Sequence, residues 1–435
     1  MPGSRFETFP PSDSSRVTRR DWLRGLAVFG LAGDLAFEAE GASPVSTPDA
    51  DLLAKDPDRY WAQLRTDQFL LADDRVFLNP GSLGVMPRVV LNRVMETLTR
   101  GAEYSSDDVV RWGYERLESE RGTMAAFLGC RTEELAFTHN CTEAMSIIAN
   151  GLDHLRPGDE ILTTNQEHGG GSACWRLRAA RTGVSVREIE IPTTPKSPEE
   201  LLDRLLSEIK PRTRVLSFSG ITSPTGLHLP VRQLCQAARE KDVISVVDGA
   251  HMDGQVHVDL QDLGCDYFAG SPHKWMFAPP GCGLLYGRGD RLDQLWPCVV
   301  NAGWDDKTGA HAARFMMIGT NNRCTIDGMM EGLRFLQRLG PDQVYRRIHH
   351  LARLALAEVH RRPYLEAVTP DDDRLFHAMI SFRFRRDPGE TLGKAMKAAN
   401  INAIVGTRTR LSTHIHCRPS DIEAFFRVCD EVVTA

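Results

Sequence analysis

An apolar run that ends in an acid, at residues 243–248, constrains the fold of this chain more than any other feature. The run reads Val-Ile-Ser-Val-Val-Asp and carries no charge before Asp248. A strand this apolar on both faces belongs inside a parallel sheet that helices cover on either side. Similar runs alternate with helical patterns from about 107 to 300, which predicts an α/β layer. The predicted strands are 133–138, 160–164, 184–190, 213–219, 243–248, 265–270 and 282–286.

The pattern changes near residue 320, where a smaller α+β domain is predicted to begin. The predicted elements there are helices 324–338, 342–361, 390–399 and 420–433, and strands 378–386, 401–405 and 409–416. Four parts are therefore expected. They are a signal-like or linker segment at 1–50, a helical segment at 51–103 that contributes to the small domain and the functional site, a large domain at 104–325 and a small C-terminal domain at 326–435.

The N-terminal segment carries paired arginines ahead of an apolar stretch. Arg19 and Arg20 precede the apolar residues 25–32, a pattern that resembles a twin-arginine export signal. Asp34 interrupts the apolar region, and no clear cleavage site of small residues follows. Export to the periplasm and a cytoplasmic protein with a disordered or amphipathic N-terminal arm both stay open.

Composition and charge argue against several classes of protein. The net charge is −6 and no basic stripe is visible, so nucleic-acid binding is not expected. No apolar stretch reaches about eighteen residues, so no transmembrane helix is predicted. The ten cysteines include no C-x-x-C pair, and most lie in apolar runs. They are therefore interpreted as buried free thiols, and no metal site is expected.

Lys274 follows the predicted strand after Asp248, in the stretch Ser271-Pro272-His273-Lys274. A lysine amine can condense with an aldehyde, and a strand-end aspartate can keep a pyridine nitrogen protonated. Pyridoxal 5'-phosphate (PLP) makes these two demands of a protein. Lys274 and Asp248 are therefore candidate catalytic residues for PLP chemistry. The alternative is a surface lysine and a strand-end aspartate that are unrelated.

A phosphate seat is predicted where strand 133–138 ends. The stretch Thr138-His139-Asn140-Cys141-Thr142 precedes a predicted helix. The N–H groups of Cys141 and Thr142, with the Thr142 hydroxyl, would bind a phosphate at the helix N-terminus. A plain helix cap by Asn140 or Thr142 is the alternative.

Polar residues after other predicted strands would complete the site. His168, which precedes three glycines, is a candidate to stack on the pyridine ring. Ser223 and His251 are candidates to contact the phenolic oxygen, and Ser271 and His273 are candidates to donate to the phosphate. Each motif is weak alone, but ligands of parallel sheets bind at strand ends, where all of these motifs fall.

Together these motifs resemble the class V aminotransferase family of fold type I PLP enzymes. The resemblance runs from about Asn79 to Glu423 and is strongest to the isopenicillin N epimerase-like branch. It implies an α/β fold of type I. The large domain holds a mostly parallel seven-stranded sheet between helices, and a smaller α+β C-terminal domain follows. The matching stretches are Phe77-Leu78-Asn79-Pro80-Gly81-Ser82-Leu83-Gly84, Asn140-Cys141-Thr142-Glu143-Ala144, Asp248-Gly249-Ala250-His251 and His273-Lys274.

The resemblance also implies roles for individual residues. It gives the Schiff base to Lys274, the ion pair with the ring nitrogen to Asp248 and ring stacking to His168. Phosphate contacts are implied for Thr142, Ser271 and His273.

Further implied contacts lie outside the large-domain motifs. Gly319-Thr320 resembles a pair that reaches the phosphate of the neighbouring subunit, which implies a homodimer. Arg410 resembles the arginine that binds the substrate α-carboxylate, a task that suits a guanidinium fork. Asn79 is also expected to contact the substrate. The alternative for Arg410 is a surface residue on an edge strand.

The sequence departs from parts of the family pattern. Residues 401–408 contain no cysteine, although desulfurases of the family carry a catalytic cysteine shortly before the carboxylate arginine. Cys417 lies after Arg410, so desulfuration is disfavoured. His251 stands where many members have glutamine, and Ser223 stands where some have asparagine.

The implied reaction begins with an amino acid whose carboxylate binds Arg410 and whose Cα proton is taken by Lys274. Return of the proton to the opposite face gives epimerisation, its delivery to the cofactor gives transamination, and loss of a side-chain substituent gives elimination. These three outcomes stay open. A PLP-fold protein that binds without turnover is an alternative. A nucleotide-binding protein is less favoured, since both G-x-x-x-x-G-K-[ST] and G-x-G-x-x-G are lacking.

Overall fold

The computed structural model describes residues 47–104 and 111–434, and its elements within those ranges alternate between strands and helices. The strands are β1 (Val76–Phe77), β2 (Arg111–Trp112), β3 (Leu135–Thr138), β4 (Glu160–Thr164), β5 (Ser185–Ile189), β6 (Thr213–Ser219), β7 (Ile244–Asp248), β8 (Tyr267–Gly270), β9 (Gly283–Gly287), β10 (Asn321–Asn322), β11 (Leu365–Ala367), β12 (Met379–Phe384), β13 (Ile401–Asn402) and β14 (Arg408–Ser412). The α-helices are α1 (Ala50–Lys55), α2 (Pro57–Gln68), α3 (Arg88–Glu103), α4 (Glu118–Phe127), α5 (Cys141–Gly151), α6 (Gly169–Thr182), α7 (Pro198–Leu206), α8 (Val231–Glu240), α9 (Leu260–Leu263), α10 (Pro272–Trp275), α11 (Gly289–Leu292), α12 (Arg323–Leu339), α13 (Pro341–His360), α14 (Gly389–Ala398) and α15 (Pro419–Thr434).

A seven-stranded sheet forms the centre of the large domain. Its order is β3-β9-β8-β7-β6-β4-β5; β9 is antiparallel to both of its neighbours, and the remaining neighbours are parallel. The predicted mostly parallel sheet of seven strands is therefore confirmed. The apolar run that ends in Asp248 forms β7, every residue of which is buried between β6 and β8. An interior strand covered on both faces needs no polar side, which explains its composition.

The C-terminal part forms the smaller α+β domain that was predicted. Its three-stranded sheet has the order β11-β12-β14, and both pairs are antiparallel. Phe382 of β12 packs against Phe425 and Phe426 of α15 in a hydrophobic core that is separate from that of the large sheet.

The segment before α3 contacts both the small domain and the large domain. Val76 and Phe77 of β1 pair in parallel with Ile401 and Asn402 of β13. The turn that follows reaches the large domain, where the Gly84 N–H donates to the carbonyl oxygen of His273 at 2.9 Å. A Cβ atom on Gly84 would overlap the neighbouring Lys274 carbonyl oxygen, so only glycine permits this close approach.

Some predicted element boundaries were wrong. The predicted strand 401–405 is reduced to the two residues of β13, and the predicted strand 409–416 ends at Ser412. The chain turns after Ser412, since the Cys417 N–H donates to the carbonyl oxygen of His414 at 2.9 Å. The antiparallel direction of β9 was not predicted, because a local pattern carries no information on strand direction.

Other predictions concern membranes, thiols and export. Among the described residues, no helix is long and apolar enough to cross a membrane. All ten cysteines are free thiols; eight are buried, Cys130 is half-buried and Cys298 is exposed. The paired arginines of the predicted export signal lie outside the described residues.

Candidate active site

A cavity of about 410 Å³ lies at the carboxyl ends of β3, β4, β6, β7 and β8. It brings together most of the residues singled out in the sequence, although these are far apart along the chain. The predicted residues that line it are Cys141, Thr142, His168, Ser223, Asp248, His251, Ser271, His273, Lys274 and Arg410. Asn79 and Thr320 are not among its lining residues.

Asp248, the last residue of β7, presents one carboxylate oxygen to the cavity. Its Oδ1 accepts hydrogen bonds from the Ala250 N–H at 3.1 Å and from the Cys141 thiol at 3.2 Å. Its Oδ2 accepts no hydrogen bond from any described residue. Gly171 lies beside Oδ2, where an added Cβ would come within 2.6 Å of that oxygen. Oδ2 is therefore the acceptor that remains for a ligand.

Lys274, in the short helix α10, extends its amine into the same cavity. Its Nζ lies 3.2 Å from His251 Nε2. Burial lowers the pKa of Lys274, against the opposing effects of Asp248 and Cys141. No acidic side chain forms an ion pair with this amine among the described residues. A buried lysine in this setting is suited to act as a nucleophile or base.

The N-terminus of α5 forms one wall of the cavity. Asn140 caps the helix, since its Oδ1 accepts from the Glu143 N–H at 2.9 Å. The Cys141 N–H, predicted to bind phosphate, instead donates to Ser271 Oγ at 3.2 Å. The Thr142 N–H is a first-turn donor without a partner inside the helix. A Cβ atom on Gly170 would overlap Thr142 Oγ1, so the absence of a side chain keeps this hydroxyl uncovered.

Two histidines that line the cavity differ in the role of ring atom Nδ1, which donates in one and accepts in the other. His273 Nδ1 lies 2.7 Å from the Cys282 carbonyl oxygen and therefore donates to it. Its Nε2 has no partner among the described residues. His168 Nδ1 accepts from the Gly170 N–H at 3.0 Å, so its proton resides on Nε2.

Arg410 on β14 presents a buried cation to the cavity. It is 5% exposed, which contradicts the alternative of a surface arginine. Its Nη1 donates to the Ser223 carbonyl oxygen at 2.6 Å and to Ser223 Oγ at 3.2 Å. Its Nη2 donates to Asn79 Oδ1 at 3.2 Å and to Ser82 Oγ at 3.3 Å. No acidic side chain pairs with it in the described ranges, and burial lowers its pKa to about 10.

The partners of Arg410 change the interpretation of two predicted residues. Ser223, predicted to contact the cofactor, holds the guanidinium. Asn79, predicted to bind substrate, holds it from the other side and does not line the cavity. Both residues hold the guanidinium in place.

Thr320 lies apart from these groups. It is exposed, next to the β2–β10 ladder in which Asn321 pairs with Trp112. A contact with a neighbouring subunit stays a prediction.

Several lining residues were missed by the sequence analysis. Gly81, Gly171, Ser219 and Ile404 also line the cavity, but none of them was predicted as a site residue. Gly81 stands in a stretch that carries the family resemblance, and Gly171 is one of the three glycines after His168. Glu167 directly precedes His168 in the chain, but its burial was not apparent from the sequence. It accepts hydrogen bonds from Thr164 Oγ1 and Ser219 Oγ, each at 2.6 Å, and burial raises its pKa to about 7.

Comparison with known proteins agrees with this geometry. The sequence model of the family described as aminotransferase class V matches residues 82–429. The chain belongs to the class V aminotransferase family. It is 33% identical over 395 residues to the isopenicillin N epimerase of Amycolatopsis lactamdurans, across 86% of this chain and 98% of that protein. It is 30% identical over 302 residues to a cysteine desulfurase of Pectobacterium carotovorum, across 66% of this chain and 71% of that protein.

A solved structure shows the same fold. The cysteine desulfurase CsdA from Escherichia coli has a TM-score of 0.71 and 23% sequence identity, across 86% of this chain and 98% of that chain. The predicted membership of the class V family, in its epimerase-like branch, is confirmed. The chain is a PLP-dependent enzyme of fold type I.

The cavity residues fit PLP. The free Oδ2 of Asp248 is an acceptor for a pyridinium N–H, and Lys274 supplies an amine for the aldehyde. Thr142, Ser271 and His273 offer hydroxyl and imidazole groups for a phosphate. Gly170 and Gly171 leave the space between Thr142 and Asp248 free of side chains. The role of each single residue stays a prediction.

Proposed function

We propose that this class V enzyme removes and returns the Cα proton of an amino acid, with epimerisation as its reaction. The observation that carries the proposal is the guanidinium of Arg410, which is buried and has no acidic partner among the described residues. A buried charge without a partner is costly, so such a site favours an anionic ligand. It lines the same cavity as the Lys274 amine.

Arg410 binds the α-carboxylate of the substrate in this proposal. Ser223 and Asn79 hold the two Nη atoms, which fixes the plane of the guanidinium. A planar fork can give a carboxylate two parallel hydrogen bonds. This contact orients the Cα–H bond relative to the other cavity groups.

Lys274 is the base in this proposal. When bound, PLP supplies an electron sink that acidifies the Cα–H bond of a substrate. Because burial lowers the pKa of Lys274, more of its amine is neutral at a given pH, and the neutral amine can accept a proton and return it. Asp248 Oδ2 would hold the pyridine nitrogen, and His168 would contact the ring face.

The remaining predicted contacts are part of the same proposal. Thr142, Ser271 and His273 would hold the phosphate, and His251 lies beside the Lys274 Nζ that would react with the cofactor aldehyde. Cys141 supports the cofactor through Asp248, to which its thiol donates. Thr320 contacts the phosphate of the neighbouring subunit in a homodimer.

Epimerisation is favoured over desulfuration by the thiols of the cavity. Among the described lining residues, Cys141 is the one cysteine. Its thiol is bound to Asp248, and burial together with that carboxylate raises its pKa well above the usual value. A thiol of this kind is a poor nucleophile. Ile404 lines the cavity instead of a cysteine in the segment before Arg410.

A screen of amino acids in deuterated water tests the proposal. The expected result is deuterium incorporation at Cα with inversion of configuration, without equivalent release of keto acid, ammonia or sulfide. Release of keto acid would identify a transaminase, and release of ammonia or sulfide would identify a lyase. A protein that binds PLP but exchanges no Cα proton would have a binding role.

A further inference from the structure

Trp275 lies next to Lys274 in the chain and contacts the group that faces the lysine amine. Its side chain is fully buried, and its Nε1 donates a hydrogen bond to His251 Nδ1 at 3.3 Å. An indole N–H can donate but cannot accept. His251 Nδ1 must therefore carry a lone pair and no proton.

This contact determines the protonation of the other ring nitrogen. A neutral imidazole with a bare Nδ1 carries its proton on Nε2. Burial and the neighbouring Lys274 place the pKa of His251 well below the usual value, in agreement with a neutral ring. His251 Nε2–H faces Lys274 Nζ at 3.2 Å. An ammonium group has donors only, so this hydrogen bond requires Nζ to be a neutral amine that accepts.

We propose that Trp275 is a positioning residue that holds His251 in the Nε2–H tautomer and thereby favours the neutral amine of Lys274. The neutral form is the one that attacks an aldehyde and takes up a proton. The use of this amine rests on the function proposed above, whereas the tautomer of His251 does not.

Neighbouring contacts hold the two side chains in place. His414 Nε2 lies 3.2 Å from the Trp275 carbonyl oxygen, and the two rings stack with their centroids 5.7 Å apart. Gln255 Nε2 donates to the His251 carbonyl oxygen at 2.7 Å. The hydrogen-bonded series Trp275–His251–Lys274, called the relay below, is thus held by residues of both domains.

Other groups around Lys274 both raise and lower the pKa of its amine. Its pKa is raised by Asp248, Cys141 and Asp253, while burial, the largest effect, and Arg410 lower it. His168 lines the same cavity and adds no fixed charge when neutral. The donor on His251 adds a directional contact that stabilises the neutral amine.

Trp275→Phe in two backgrounds tests the proposal. In the native background, Phe removes the donor, so His251 can place its proton on Nδ1 and accept from an ammonium at Lys274. In a His251→Gln background, the amide keeps its own N–H groups whether or not residue 275 donates. A structural role for Trp275 would affect both backgrounds alike, whereas the relay acts only through histidine.

Two measurements are made on the full chain without cofactor. The first is nitrogen-15 NMR of ring-labelled histidines, with the His251 signal assigned by its loss in His251→Gln. The second is the pH dependence of the rate at which the chain takes up PLP, followed by Schiff-base absorbance. We expect a bare Nδ1 and protonated Nε2 in the native chain and a changed tautomer in Trp275→Phe. The rate of PLP uptake at pH 7 should fall about tenfold for each pH unit by which the midpoint of its pH dependence rises in Trp275→Phe.

The outcomes separate the possibilities. A proton on Nδ1 in the native chain, or an equal midpoint shift in both backgrounds, would overturn the relay. A chain that takes up no PLP would refute the proposed function, while the NMR result would still decide the tautomer. If Trp275→Phe does not fold, benzothienylalanine at position 275 keeps the ring shape and removes the N–H.

Discussion

The thiol of Cys141 donates a hydrogen bond to Asp248 Oδ1 across 3.2 Å and joins the first turn of α5 to the end of β7. With the Ala250 N–H on the same oxygen, this contact leaves Oδ2 as the acceptor that we propose for the cofactor ring. Cys141 is therefore expected to affect cofactor binding through Asp248, although its own side chain is buried.

Substitution of Cys141 should weaken PLP binding. Cys141→Ala removes the donor, and we expect an affinity loss of about fivefold, since one hydrogen bond contributes about 1 kcal/mol. Cys141→Ser keeps a donor and serves as the control. Equilibrium dialysis against PLP measures the affinities. Equal affinity of the alanine variant and the native chain would exclude a role of the thiol in holding Asp248.

Removal of the Arg410 guanidinium should affect substrates that carry a carboxylate. Arg410→Ala is expected to raise KM by about 100-fold, because a charge-assisted bidentate contact is lost. Arg410→Lys keeps the charge without the fork and should restore only part of the affinity. Steady-state kinetics measure both variants. Binding of an amine that lacks a carboxylate should be unchanged; a matching loss there would point to misfolding instead.

The histidine pair between the domains should make folding sensitive to acid. His377 Nε2 lies 2.9 Å from His228 Nδ1, and burial lowers their pKa values to about 2 and about 4. Because the folded rings resist protonation while unfolded histidine takes a proton near pH 6.5, stability falls as the pH drops below 6.5. The contribution of His228 should level off near pH 4, where that ring becomes protonated in the folded state, whereas the contribution of His377 continues to about pH 2.

Replacement of both histidines tests this sensitivity. Between pH 7.5 and 5.5 each buried histidine should cost ~1 kcal/mol of unfolding free energy. The variant His228→Asn with His377→Asn should therefore lose ~2 kcal/mol less than the native chain over that interval. Urea unfolding at the two pH values gives the comparison. His360→Asn, an exposed position paired with Asp371, is the control and should leave the difference unchanged.

Glu167 should have the opposite effect on stability. Burial raises its pKa to about 7, so the folded chain keeps a proton that an unfolded glutamate loses near pH 4.3. Its contribution is present at low pH and is lost as the pH rises towards 7. Glu167→Gln should reduce the loss of stability between pH 5 and 7.5 by about 2 kcal/mol, measured by urea unfolding. The same pH dependence in variant and native chain would show that Glu167 is ionised in the folded state.

The sequence predicted the elements that local patterns define. Strands β4 and β6 have the predicted ends, because apolar runs bounded by turns mark them directly. The direction of β9 and the pairing of β1 with β13 depend on contacts between distant segments. The prediction of the site was limited in the same way. Asp248 and Lys274 were predicted because each lies in a local sequence motif. The partners of Arg410, among them Asn79, became apparent only from the fold.

The pairing of β1 with β13 has a consequence for how the enzyme is made. Asn79 and Ser82, just after β1, hold a guanidinium that the ribosome adds more than three hundred residues later. The large sheet, from β3 to β9, is synthesised in between. A nascent chain that has completed this sheet still lacks Arg410, so the wall of the cavity that we propose to bind the substrate carboxylate forms last.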